Sequence, residues 1–143
     1  MGRLGGLGVL NLEGGWTRYE DPEPLLEEIA AIDDPGAATR RMQEIYAEPI
    51  KEELIGQRVA EVRSAGVPAA GALSPQNTQA YAGAVVASGV DFFVIRGTTV
   101  SAEHVDGKAE PLNLKQFIYD LDEPLIVGGC ATNQAALHHM RTA

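Results

Sequence analysis

A chain of 143 residues is long enough for one domain of ordinary size. Its 11 basic against 20 acidic residues leave a formal charge of −9, which argues against a nucleic-acid surface, since that needs a basic patch. There is no apolar run of roughly 18 residues to cross a membrane, no visible secretory leader, and a single cysteine, so a cytoplasmic protein without an internal disulfide is expected.

Strand and helix signals alternate along the chain. Leu7–Asn11 (LGVLN) is a short apolar run between glycines and polar residues, and predicts a buried strand. Gly2–Gly8 precedes that strand, whereas phosphate-cradling glycines follow a strand and open a helix; a tight turn is the expected role. Asp21-Pro22 opens a helix with Leu25, Leu26, Ile29 and Ile32 at helical spacing. Asp33-Asp34-Pro35-Gly36 reads as a break, and Ala38, Met42, Ile45 and Tyr46 mark a second helix ended by Pro49. A third runs from about Ile50 to Ala65, with Gly66 as its stop.

Shorter units follow. Val67–Leu73 predicts a strand, and Ser74-Pro75 caps a helix carrying Tyr81, Ala84, Val85 and Ser88 on one face, closed by Gly89. Asp91–Ile95 is the next strand, and residues 97–111 form a loop. Asn113 caps a helix with Leu114, Phe117, Ile118 and Leu121, Leu125–Val127 is the last strand, and Thr132 caps a final helix through Met140.

Strands alternating with helices imply a parallel α/β sheet with right-handed crossovers. Two architectures fit: an open doubly wound sheet, or part of a (β/α)₈ barrel, of which a complete copy takes about 250 residues. The helical stretch 21–66 is the one candidate for an inserted module in a single 1–143 domain.

In such sheets ligands bind at the carboxyl ends of the strands. Asn11, Ser74, Arg96–Thr99 and Gly128–Gly129 occupy those positions. Paired glycines there allow a ligand close to the backbone, and Arg96 suits a phosphate or carboxylate. Cys130 follows a strand but has no histidine near it in sequence to lower its pKa, and reads as a buried thiol. His138 and His139 are adjacent, so on a helix they diverge and make no metal pair; His104 reads as a surface-loop residue. The acidic pairs Glu27-Glu28, Asp33-Asp34 and Glu52-Glu53 read as solvated faces.

The stretches GRLGGLGVLN, VDFFVIRGTTVSAEHV, EPLNLKQFIYDLDEPLIVGGCAT and ALHHMRT resemble the IMP dehydrogenase and GMP reductase family, more narrowly its IMP-dehydrogenase-related branch of actinobacteria and cyanobacteria. The segment DPEPLLEEIAAIDD…ATRRMQEIYAEPIKEEL is similar to that branch as well, standing where typical IMP dehydrogenases carry regulatory domains. The resemblance implies a (β/α)₈ barrel, usually tetrameric, that oxidises IMP to XMP with NAD or deaminates GMP reductively with NADPH. It implies that the strands here are the second to the fifth. The family's cysteine nucleophile, which follows the sixth strand, is then missing from this sequence, and Cys130 is not its counterpart.

The resemblance places Gly97 and Thr98 on positions that face the cofactor in relatives, so of the strand-end residues Arg96, Gly97, Thr98 and Thr99 are expected along the cofactor and Asn11, Ser74, Gly128 and Gly129 along the purine nucleotide, with no catalytic residue and no metal ligand. Two positions depart from the family pattern: Arg96 stands where an acid is usual, and Gly129 where an asparagine is. An arginine there suits the additional phosphate of NADPH. Two expectations follow: a segment of a purine-nucleotide oxidoreductase, inactive alone, or a nucleotide-binding half-barrel whose edges a second copy closes.

Overall fold

The computed structural model describes residues 1–97 and 113–142. Thr98, Thr99 and His104 lie outside the described residues. Four strands alternate with helices: β1 (Val9–Asn11), α1 (Glu23–Ala30), α2 (Pro35–Tyr46), α3 (Glu52–Ser64), β2 (Ala70–Leu73), α4 (Pro75–Ala87), β3 (Phe92–Arg96), α5 (Leu114–Tyr119), β4 (Leu125–Gly128) and α6 (Asn133–Thr142). Short 3₁₀ turns at Gly2–Leu4 and Gly15–Thr17 flank β1.

The sheet is wholly parallel and its strands follow chain order, β1-β2-β3-β4. A doubly wound sheet needs a reversal of strand order to place helices on both faces. Here there is none, and right-handed crossovers then put every helix on one side. The core agrees. Ile55 and Val59 of α3, Val85 of α4 and Leu114 of α5 pack in one cluster with Leu12, Leu73, Phe93 and Ile95. The opposite face gathers Ala70, Ala72 and Val94 with Leu7 and Phe92, and no helix residue. The fold is therefore part of a TIM barrel: an outer face covered by helices and an inner face without them.

The central strands are buried along nearly their whole length, as their unbroken apolar runs predict. The edge strands differ. Val9 of β1 and Ile126 of β4 point to the inner face and remain exposed. An apolar run reports the environment a strand is suited to, and only the central pair meets it on both faces here.

Small residues let the outer core close. A Cβ on Gly71 would lie 2.6 Å from Leu12 Cδ1, so glycine there lets the leucine lie across β2. Phe93 meets Phe117 of α5 edge to face at 5.4 Å. Gly66 and Gly89 adopt left-handed φ of 70° and 76° after α3 and α4, the conformation glycine accepts without a Cβ clash.

Several boundaries shift for identifiable reasons. The strand predicted from Val67 begins at Ala70, because Pro68 has no N–H to donate to a ladder. The first strand begins at Val9 rather than Leu7. Asp33–Gly36 holds a helix start as well as a break: Asp34 caps α2, its carboxylate accepting from Ala37 N at 2.6 Å, with Pro35 in the first turn. Helix α1 begins at Glu23, and Asp21 accepts from Glu23 N at 3.1 Å. Helix α3 starts at Glu52, where Lys51 N donates to Thr17 O at 2.8 Å and ties it to the turn after β1.

Candidate functional site

Strand register decides which of the candidate residues meet. Asn11 pairs with Ala72, Ala72 with Val94, and Val94 with Ile126, making one row across the sheet. Leu73 pairs with Ile95 and Arg96 with Gly128, so Ser74 comes level with Arg96 and Gly128 in the next row towards the carboxyl ends. Leu10, Leu12, Leu73 and Ile95 belong to the outer core, so by alternation both rows lie on the inner face. The structure thus brings Ser74, Arg96 and Gly128 together at the rim, with Asn11 one layer deeper.

Gly97 and Gly129 lie one step beyond, and they bond to their neighbours. Gly97 N donates to Gly128 O at 2.9 Å, and Gly129 N donates to Gly97 O at 3.0 Å, across a cis Gly128–Gly129 peptide. Their backbone donors are therefore committed to closing the ends of β3 and β4. What Gly128 offers a ligand is room, since a Cβ there would meet nothing within 4 Å among the described residues. Arg96 is exposed and forms no ion pair among the described residues.

Ser74 precedes α4 as its cap residue, but its hydroxyl makes no capping bond. Its backbone N–H donates to the Glu13 carboxylate, and its carbonyl accepts from Thr78 Oγ1 at 2.8 Å. Glu13 is a residue that sequence reasoning passed over. It lies two positions past β1, with its own N–H donating to Asn11 Oδ1 at 3.2 Å. Its carboxylate spans the ends of β1 and β2 beside the first turn of α4, where a negative charge is favoured. Thr17, also unremarked in the sequence, is buried and donates its hydroxyl to Leu12 O at 2.8 Å, fixing the turn that follows β1.

The other reactive residues stand apart. Cys130 is exposed rather than buried. His139 is buried against α5 and β4, in a hollow shared with Leu114, Ile118 and Val127. No cluster of three or more metal-binding side chains occurs among the described residues. No described helix is long and apolar enough to cross a membrane. A hollow of about 520 Å³ opens beside β1, between the turn at Gly14–Thr17 and helices α1–α3; it flanks Asn11 but does not reach the row of Arg96 and Gly128.

The same fold and sequence occur together in a solved structure. An IMP dehydrogenase/GMP reductase-like protein from Corynebacterium glutamicum superposes with a TM-score of 0.90 at 45% identity, over 99% of this chain and 38% of its own. Along nearly its whole length the chain is similar to an IMP dehydrogenase/GMP reductase-like protein in both fold and sequence. Uncharacterized oxidoreductases of Mycobacterium tuberculosis and Mycolicibacterium smegmatis, 50% and 47% identical, match over 99% of this chain. The chain spans 39% of their length. No family model matches. The described strands form a four-stranded part of a barrel, and Ser74, Arg96 and Gly128 stand in one row at its carboxyl rim.

Proposed function

We propose that this chain supplies one wall of the nucleotide cleft of an oxidoreductase acting on purine nucleotides, oxidising IMP to XMP with NAD, and that it is inactive by itself. The convergence of Ser74, Arg96 and Gly128 on one inner-face row, with Asn11 beneath them, carries this reading. The wall fits a phosphorylated ligand in two respects: Arg96 offers an exposed guanidinium with no described acid beside it, and the space over Gly128 is open. With the N–H groups of Gly97 and Gly129 already bonded, the charge of Arg96 holds the phosphate and the glycines admit the ligand's bulk. NAD, when bound, supplies the hydride acceptor; Arg96, Gly97, Thr98 and Thr99 would lie along it and Asn11, Ser74, Gly128 and Gly129 along the purine nucleotide. A guanidinium at Arg96 equally suits the additional phosphate of NADPH, which favours a GMP reductase-type reaction as the second reading. The working assembly would be a homo-oligomer, and the place of work the cytoplasm.

Two assays test this. The 143-residue chain, incubated with IMP and NAD or with GMP and NADPH, should give no turnover, and turnover in either pair overturns the claim of inactivity. Calorimetric titration with NAD and with NADPH should show binding that Arg96→Ala weakens about tenfold, the scale of one charge-assisted hydrogen bond. Binding indifferent to that substitution removes Arg96 from the site.

A further inference from the structure

Asn11 and Ser74 are the polar side chains set along the purine nucleotide, and Glu13 touches both, by different atoms. Its backbone N–H donates to Asn11 Oδ1 at 3.2 Å, and its carboxylate accepts from the Ser74 N–H. Glu13 is itself fixed. Arg18 donates from Nε to Glu13 O at 3.2 Å and from Nη1 to Glu48 O, and its guanidinium lies 5.3 Å over the Tyr46 ring. The half-buried Glu13 is thus tied through Arg18 to the chain that follows α2. At Ser74 every backbone group is engaged. The N–H goes to Glu13, and the carbonyl accepts from Asn77 N at 3.2 Å, Thr78 N at 3.1 Å and Thr78 Oγ1 at 2.8 Å. A serine at a helix start normally lends its hydroxyl to an N–H of the first turn. The Ser74 hydroxyl makes no such bond.

We propose, resting on the nucleotide-wall reading, that Glu13 is the positioning residue for the purine side of that wall. It sets where the Ser74 hydroxyl and the Asn11 amide stand, without touching the nucleotide itself. In a capping box, the acid that takes the N-cap N–H comes from the third residue of the same helix, and the serine hydroxyl is bonded in return. In α4 that third residue is Asn77, and the acid comes instead from the turn after β1. The two halves of the box are thereby separated: the Ser74 backbone is fixed, and its hydroxyl is left as a donor and acceptor for a ligand. At Asn11, engaging Oδ1 fixes which way round the amide lies. The Glu13 carboxylate also fills, from within the chain, the place beside the first turn of α4 that a phosphate would otherwise favour. An uncharged, hydrogen-bonding part of the nucleotide, its base or ribose, therefore meets Ser74 and Asn11, and phosphate is directed away from them.

Amide hydrogen exchange, followed by nuclear magnetic resonance on the 143-residue chain without ligand, should show the Ser74 N–H protected. Its exchange should be about tenfold faster in Glu13→Ala and restored in Glu13→Gln, whose amide oxygen accepts at the same reach. Calorimetry then reads the ligands. Glu13→Ala should weaken IMP and GMP binding about tenfold, Glu13→Gln should recover most of that loss, and both variants should bind NAD as the wild type does. A damaged fold would weaken IMP and NAD alike, so the contrast between the two ligands separates positioning from stability. A Ser74 N–H that exchanges equally in wild type and Glu13→Ala overturns the proposal with no ligand present. IMP binding left unchanged by Glu13→Ala overturns it too, and IMP binding strengthened by that substitution would mean that a phosphate sits at Ser74 against the carboxylate. Glu13→Gln failing as Glu13→Ala does, or NAD binding that falls with IMP binding in either variant, also overturns it. A wild type that binds neither IMP nor GMP while the Ser74 N–H stays protected instead removes the nucleotide-wall reading, and this role with it.

Discussion

The outer and inner faces of the sheet share four strands and are built from different residues. The outer face carries Leu12, Leu73, Phe93, Ile95 and Val127, and α3, α4 and α5 lie across it. The inner face carries Ala70, Ala72 and Val94 at its centre and Asn11, Ser74, Arg96 and Gly128 towards the carboxyl ends. The outer residues hold the chain together. Of the inner ones, Ala70, Ala72 and Val94 are small and buried, while Arg96 at the carboxyl ends is exposed to a ligand.

The sharpest way to break this comparison is to cut one side chain from each face of the same strand. Phe93 is fully buried and stacked edge-on against Phe117, so Phe93→Ala should cost about 3–5 kcal/mol in urea unfolding. Its neighbour Val94 faces inward, and Val94→Ala should cost about 1–2 kcal/mol, the worth of the methyl groups lost. Equal losses would mean that the inner face is covered as well as the outer one.

Glycines offer the same contrast with added rather than removed atoms. A side chain at Gly71 runs into Leu12, so Gly71→Val should destabilise by about 1–3 kcal/mol through overpacking. Gly128 faces open space, and Gly128→Ala should change stability by less than about 0.5 kcal/mol. If nucleotide binding falls in Gly128→Ala while stability holds, the open space belongs to the ligand.

Much of this division was legible in the sequence, and the parts that were not share a cause. The alternation of elements, the stops at Gly66 and Gly89, and the Thr132 cap, whose Oγ1 accepts from Ala135 N at 3.1 Å, all rest on interactions a few residues apart. Which face of a strand is covered does not. FFVI and LIV are equally apolar runs, yet β3 lies between neighbours and β4 at an edge, and strand order alone separates them. Glu13 was hidden for a similar reason: the N–H its carboxylate accepts from lies at Ser74, 61 positions away. Ser74 shows the complementary limit. Its place before Pro75 marks a helix start correctly, while its hydroxyl makes no capping bond and its backbone N–H is held by Glu13.

The helical pair α1–α2 sharpens the comparison from outside the sheet. Arg41 donates to both carboxylate oxygens of Glu28 at 2.7 and 3.0 Å and to Glu44 at 3.0 Å, joining α1 to α2. The hydrogen bonds from Arg41 hold the Glu28 carboxyl below its usual value of 4.5, and those to Glu28 and Glu44 push the Arg41 guanidinium up. A depressed carboxyl pKa adds stability that is complete above the unfolded-state pKa and is lost as pH falls through the folded-state one. The window therefore lies below about pH 4.5, and Arg41 stays charged throughout. The pair lies at the surface, Glu28 exposed and Arg41 half-buried, so the effect should be the smallest of the set and salt should shrink it further. Acid titration of wild type against Arg41→Gln, followed by circular dichroism, should show the two unfolding curves converging below that window. In Phe93→Ala the deficit should instead persist at every pH, because no titrating group takes part in it. Curves for Arg41→Gln that stay parallel to wild type down to pH 3 would mean that the bridge between the helices carries no stability of its own.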